Sequence, residues 1–138
     1  MNEPRQAPDP ATDADALEPQ IRALFSALDH AGELTEGTAG VGRVIRGEAG
    51  REASGTRVRL ELLLVDDRVE AVRYRAYGCP YTLATCEWLA RQLEGRSVAG
   101  GAEVGNPLEW SERLGLPAAK LGRLLVIEDA LRAALAQA

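Results

Sequence analysis

The sequence predicts an α+β fold, a small three-stranded antiparallel sheet covered on one face by helices. Three observations carry this reading. Residues 57–64 and 72–77 alternate apolar and polar side chains with a period of two. Three other segments repeat apolar residues at helical spacing. The order along the chain is a helix, then strands, then helices, with no internal repeat.

The elements follow in order. Residues 1–19 carry Pro4, Pro8, Pro10 and Pro19 and an excess of acid, so a disordered acidic tail is expected there. One domain, residues 20–138, should follow. Ile21, Leu24, Phe25 and Leu28 form an apolar stripe and predict a short helix over about Glu18 to Asp29. Gly32, Gly37, Gly40 and Gly42 mark residues 31–42 as a loop, and Val41 to Gly47 reads as an edge-like strand.

A hairpin comes next. Val58, Leu60, Leu62 and Leu64 face one way, and Val72, Tyr74 and Ala76 do the same on the following strand. A three-residue connection, Asp66-Asp67-Arg68, pairs Leu62 with Val72 and Leu60 with Tyr74. That register sets Glu61 opposite Arg73 on the outer face. Pro80 opens a helix and Gly95 ends it, with Leu83, Cys86, Ala90 and Leu93 as its inner stripe. After a loop at 99–106, Asn106-Pro107 starts a short helix that ends near Leu114. Gly115-Leu116-Pro117 breaks the chain, and a last helix runs from Ala119 to Ala136 on Leu121, Leu124, Leu125, Leu131 and Leu135.

Composition excludes several functions. The net charge is −5, but residues 1–20 hold five acids against Arg5 alone. The remainder is close to neutral, which argues against a nucleic-acid-binding domain. No apolar run is long enough to span a membrane, and no secretory signal is visible, so the cytoplasm is the expected compartment. Two cysteines are too few for a disulfide framework.

The chemistry-bearing residues are few. Cys79, Cys86 and His30 are the only soft ligands, and no CxxC, P-loop or GxGxxG occurs. Cys86 lies on the apolar stripe and reads as a core thiol. Cys79 stands at the start of a helix, where the dipole favours thiolate, so it reads as a metal ligand, a sulfur carrier or a nucleophile. His30 reads as a surface cation at the end of the first helix. Arg57, Arg59, Arg73 and Arg75 make a strip on the outer sheet face, read as solvated.

Several segments together resemble a known family. Arg73-Tyr74-Arg75-Ala76-Tyr77-Gly78-Cys79, then Leu83-Ala84, then Glu94-Gly95-Arg96-Ser97, is similar to the central signature of the U-type iron–sulfur scaffolds (IscU and the N-terminal domain of NifU). Leu116-Pro117-Ala118-Ala119-Lys120-Leu121 and Glu128-Asp129-Ala130-Leu131 resemble two downstream signatures, and Leu28-Asp29-His30 resembles part of the first helix. The resemblance implies that fold, a role as scaffold in cluster assembly and no enzymatic activity.

It also implies where a cluster, or an iron or zinc ion, would be held. Cys79 is the retained ligand. Ser54 and Thr56 stand where the family has its first cysteine and an aspartate, and Gly122 and Arg123 replace a His-Cys pair. One ligand of five remains, so this chain alone is expected to bind a cluster weakly or not at all. The implied partners are a cysteine desulfurase or other assembly proteins. A chaperone at Leu116, Pro117 and Lys120 is a weaker implication, since the family's second proline and valine are both alanine here. The alternative is a non-catalytic interaction or regulatory module on the same fold, which binds a desulfurase or another assembly partner without holding a cluster.

Overall fold

The computed structural model describes residues 18–35 and 41–138. The acidic tail over 1–17 and the glycines at 37 and 40 of the expected loop lie outside them. The described elements are α1 (Pro19–Phe25), β1 (Arg43–Arg51), β2 (Thr56–Val65), β3 (Arg68–Tyr77), α2 (Pro80–Leu93), α3 (Pro107–Leu114) and α4 (Leu121–Leu135). Short 3-10 turns form at Glu52–Ser54, Gly101–Glu103 and Ala118–Lys120. The sheet is antiparallel in the order β1-β2-β3, as the alternation predicts.

The hairpin register is the expected one, with Leu60 opposite Tyr74, Glu61 opposite Arg73 and Leu62 opposite Val72. The connection that produces it differs. Val65 pairs with Arg68, so the loop is the two residues Asp66 and Asp67. The register then shifts between Leu63 and Leu64, where a bulge absorbs Glu70. A tight turn plus a bulge thus gives the facing that a three-residue loop would give. Asp66 and Asp67 have φ of 52° and 62°, the left-handed pair of a type I′ turn. Asn and Gly tolerate those angles better than Asp does. The double change Asp66→Asn, Asp67→Gly is expected to raise folding stability by about 0.5–1 kcal/mol, read as a higher unfolding midpoint.

β1 is longer than expected, because its second half has few side chains to alternate. Gly47 lies under α4, where a Cβ would stand 2.0 Å from the Ala130 carbonyl oxygen and 2.3 Å from the Ala134 nitrogen. α4 packs directly on this backbone. Its inward residues are Leu124, Ile127, Ala130, Leu131 and Ala134. Leu125, expected on the apolar side, is 48% exposed, one position off that stripe.

α2 is buried on most of its surface. Cys86, Ala90 and Leu93 face the main core, as the stripe predicts, and Leu89 beside them is buried too, while Leu83 is only half-buried. α1 covers the other flank, where Ile21 and Leu24 pack with Tyr81, Ala84 and Leu114. Gly95, at φ 83°, takes the chain out of α2.

α1 stops at Phe25, four residues before the expected Asp29. Ser26 turns its hydroxyl back onto the Arg22 carbonyl, and the chain then crosses to the sheet. There Tyr74 donates its N–H to the His30 carbonyl (3.0 Å), and Gly32 donates to the Tyr74 carbonyl (2.8 Å). The remaining outer edge of β3 is met by residues 95–98, through Val69 to Arg96, Gly95 to Val69 and Val98 to Asp67. On the far edge, the β1 residue Arg46 donates its N–H to the Gln137 side chain.

Candidate functional site

Cys79 is the N-cap of α2. The Tyr77-Gly78 pair brings it there, because a Cβ at Gly78 would come within 2.9 Å of the Thr82 side chain. Pro80 follows at the first helical position, where no N–H is needed. The Cys79 thiol lies 3.6 Å from the Thr82 hydroxyl. Burial would push this thiol up. The Thr82 N–H and hydroxyl, the Tyr81 N–H and the Lys120 charge outweigh it and hold the thiol below its ordinary value.

Lys120 is the cation that acts on Cys79, and its ammonium also stands 5.7 Å over the Tyr81 ring. The Leu116-Pro117-Ala118-Ala119-Lys120 segment positions it. Leu116 packs against both apolar clusters, while residues 117–119 are exposed. Alkylation of the native protein by iodoacetamide is expected to report Cys79 alone, since Cys86 is fully buried and burial raises its thiol. The pH inflection should fall below that of an unperturbed thiol, and Lys120→Met should move it upward. An inflection unmoved by that substitution would contradict the assignment of Lys120.

The other expected site residues lie on three elements. Ser54 is exposed in the 3-10 turn Glu52–Ser54, and Thr56 is buried at the start of β2. Gly122 and Arg123 occupy the first turn of α4. Arg51 pairs with Thr56 and Arg57 with Tyr77, so the Ser54 turn and Cys79 stand at the same end of the sheet. The approach of Gly50 to Val126 brings the start of α4 toward that end. A Cβ at Gly122 would meet nothing within 4 Å, so the frame has room for a side chain there. The Arg123 Nε is buried without a hydrogen-bond partner.

This donor set does not fit a cluster or a soft metal ion. It offers one thiolate, two hydroxyls, no side chain at Gly122 and a guanidinium that cannot deprotonate. Among the described residues no three His, Cys, Asp or Glu side chains come together to hold an ion.

Sequence reasoning misread His30. It lies beyond α1 and is only partly exposed. Its Nδ1 is 2.6 Å from Glu87 Oε2, and its Nε2 meets Glu94. Glu87 is fully buried within α2, and also accepts from the His30 N–H (2.9 Å), the Tyr74 hydroxyl (3.1 Å) and Arg91 Nε (2.8 Å). Burial would raise this carboxyl, but the His30 N–H, Arg91 and the His30 ring hold it below the usual carboxylate range. The available signal was a glutamate placed between Cys86 and Trp88, among the apolar residues in the middle of α2.

Glu61 is a second correction. It is buried, and its carboxylate accepts from Arg46 Nε (2.5 Å), Arg59 (3.2 Å) and the Leu34 N–H (2.9 Å). Arg73, its cross-strand neighbour, donates instead to the Val72 carbonyl.

Comparison with known proteins gives consistent findings. Residues 18–137 match the family model described as NifU-like N terminal domain. The chain is 43% identical over 89 residues to the bifunctional protein NifU/MnmA of Rubrobacter xylanophilus, covering 64% of this chain and 17% of that protein. It is 31% identical over 91 residues to the iron–sulfur cluster assembly scaffold protein IscU of Rickettsia prowazekii, covering 65% of this chain and 69% of that one. The crystal structure of a protein assigned as an iron–sulfur cluster assembly scaffold for the SUF system of Fervidobacterium islandicum superposes with a TM-score of 0.62 at 16% identity, covering 86% of this chain and 95% of that one. This last likeness is one of fold.

Proposed function

Because the chain belongs to the NifU-like N-terminal domain family, we propose that it works in iron–sulfur cluster assembly as a divergent scaffold-like protein with Cys79 as its one retained ligand cysteine. The observation that carries this is the Cys79 thiol, held below its ordinary value at the head of α2 on the family's fold. A cluster or ion would be cargo, with Cys79 filling one position and the others supplied from outside the chain. No enzymatic step is required of these residues.

The implied partner is a cysteine desulfurase or another assembly protein. The exposed Pro117 and the adjoining Leu116 and Lys120 are the surface on which a chaperone would act. Neither nucleic acid nor membrane is a partner in this reading. Among the described residues no helix is long and apolar enough to cross a membrane. The cytoplasm is the proposed compartment.

A second reading is favoured by the donor set itself. Ser54, Thr56, Gly122 and Arg123 leave the fold intact and the ligands lost, which suits an interaction module that binds a desulfurase without cargo. Anaerobic reconstitution with iron and sulfide, beside Cys79→Ser, separates the two. Iron bound in proportion to protein and lost in the variant supports the scaffold. No bound iron, with desulfurase capture that survives Cys79→Ser, establishes the module and overturns the scaffold reading.

A further inference from the structure

Both tryptophans of the chain, Trp88 and Trp110, border one cavity of about 390 Å³ between α2, α3 and the loop of residues 103–105. That volume lies within the range of small-molecule sites. None of the residues discussed around Cys79 lines it. Its floor is apolar. Trp110 is buried and donates its indole N–H to the Val104 carbonyl (2.7 Å), and Trp88 is half-buried.

The rim is charged in both signs, and its charges do not neutralise one another. Arg96 and Arg113 line the cavity together with Glu103, Glu109 and Glu112. Arg96 donates only to backbone carbonyls, those of Gln92 (2.8 Å) and Glu103 (3.1 Å). Glu109 accepts from the Asn106 amide (2.7 Å). Among the described residues the Arg113 guanidinium and the Glu103 and Glu112 carboxylates have neither an ion pair nor a hydrogen bond. The loop that carries Glu103 is strained. Ala102 and Glu103 have φ of 65° and 49°, left-handed values that residues other than glycine seldom adopt. The Arg96 and Trp110 hydrogen bonds to the Glu103 and Val104 carbonyls hold the loop in that form. Residues kept in this conformation cluster at ligand-binding sites.

A ligand that answers unpaired charges of both signs over an apolar floor is itself a zwitterion with an apolar part. We propose that this cavity binds a small zwitterion of the amino-acid or dipeptide class. Its carboxylate meets Arg96 and Arg113, its ammonium meets Glu103 and Glu112, and its apolar side chain lies against Trp88. The site goes beyond the role in cluster assembly and does not depend on it.

Because the chain has no other tryptophan, intrinsic fluorescence reports this cavity alone. Titration of the full chain with L-leucine and with glycyl-L-leucine is expected to change the indole emission, with half-saturation at or below about 1 mM. N-acetyl-L-leucine lacks the ammonium and L-leucinamide lacks the carboxylate, so each should bind at least about tenfold more weakly than L-leucine. Glu112 and Arg113 are exposed on α3, so Glu112→Gln and Arg113→Gln should both keep the native circular dichroism. Each substitution should raise the half-saturation point about tenfold or more. Emission unchanged by both probes overturns the proposal. So does binding that L-leucinamide or N-acetyl-L-leucine matches, or that either variant leaves as it was.

Discussion

Glu87→Ala is expected to cost about 3–5 kcal/mol of folding stability, the range seen when one partner of a buried charge network is removed. Glu87 is fully buried, and four donors converge on it. Alanine leaves the Tyr74 hydroxyl and the His30 N–H without an acceptor, and Arg91 without its charge partner. The loss should also loosen the chain between α1 and β1, because it is fixed to α2 through His30 and through the Arg91 hydrogen bond to the Ala27 carbonyl (2.9 Å), and Glu87 holds both residues. Urea unfolding reads the total, and hydrogen exchange at Gly32 and Tyr74 reads the local part. Glu87→Gln is the milder control, since it keeps the volume and part of the acceptor capacity.

The same site sets a pH dependence. The folded-state carboxyl of Glu87 lies below its unfolded value of about 4.3. Its contribution is therefore full above that value and is lost as pH falls through the folded pKa. Glu61 behaves alike, held down by Arg46, the Leu34 N–H and Arg59 against the opposing effect of burial. The native protein should lose stability on acidification more steeply than Glu87→Gln.

Gly47→Ala is expected to destabilise by about 1–3 kcal/mol or more, as overpacking does when backbone is the obstacle. The added Cβ would overlap the Ala130 carbonyl and the Ala134 nitrogen, and neither can rotate away. α4 must lift from β1, which also disturbs the Ile45 and Ile127 packing. Gly122→Ala, on the same helix and without neighbours within 4 Å, should be close to neutral. Thermal unfolding of the pair distinguishes a packing clash from a general intolerance of substitution.

Legibility followed side-chain size and locality. The β2–β3 register was readable because its apolar set alternates cleanly, and α3 because Asn106-Pro107 and Gly115 mark both ends. The true turn was not, since a two-residue loop with a bulge and a three-residue loop leave the same pattern upstream of it. β1 was cut short where Gly47, Ala49 and Gly50 carry no periodicity. Cys79 was legible from its place at a helix start. The Thr82 and Lys120 partners were not, because one depends on a helical turn and the other on a segment some forty residues away. His30 was misread for the same reason, since its carboxylates lie 57 and 64 residues downstream.

The blunted sheet edges have a consequence for synthesis. An open strand edge is a template for any other extended chain, including another copy. Here β3 is closed by His30 and Gly32 on one stretch and by residues 95–98 on the next, and β1 is capped at Arg46 by Gln137. The hairpin is made before residues 95–98, and long before Gln137. During translation the sheet therefore emerges with the edge of β3 near Val69 and the edge of β1 near Arg46 uncovered. The interval until residues 95–98 and Gln137 have been made is the stage at which this protein is most open to templated aggregation.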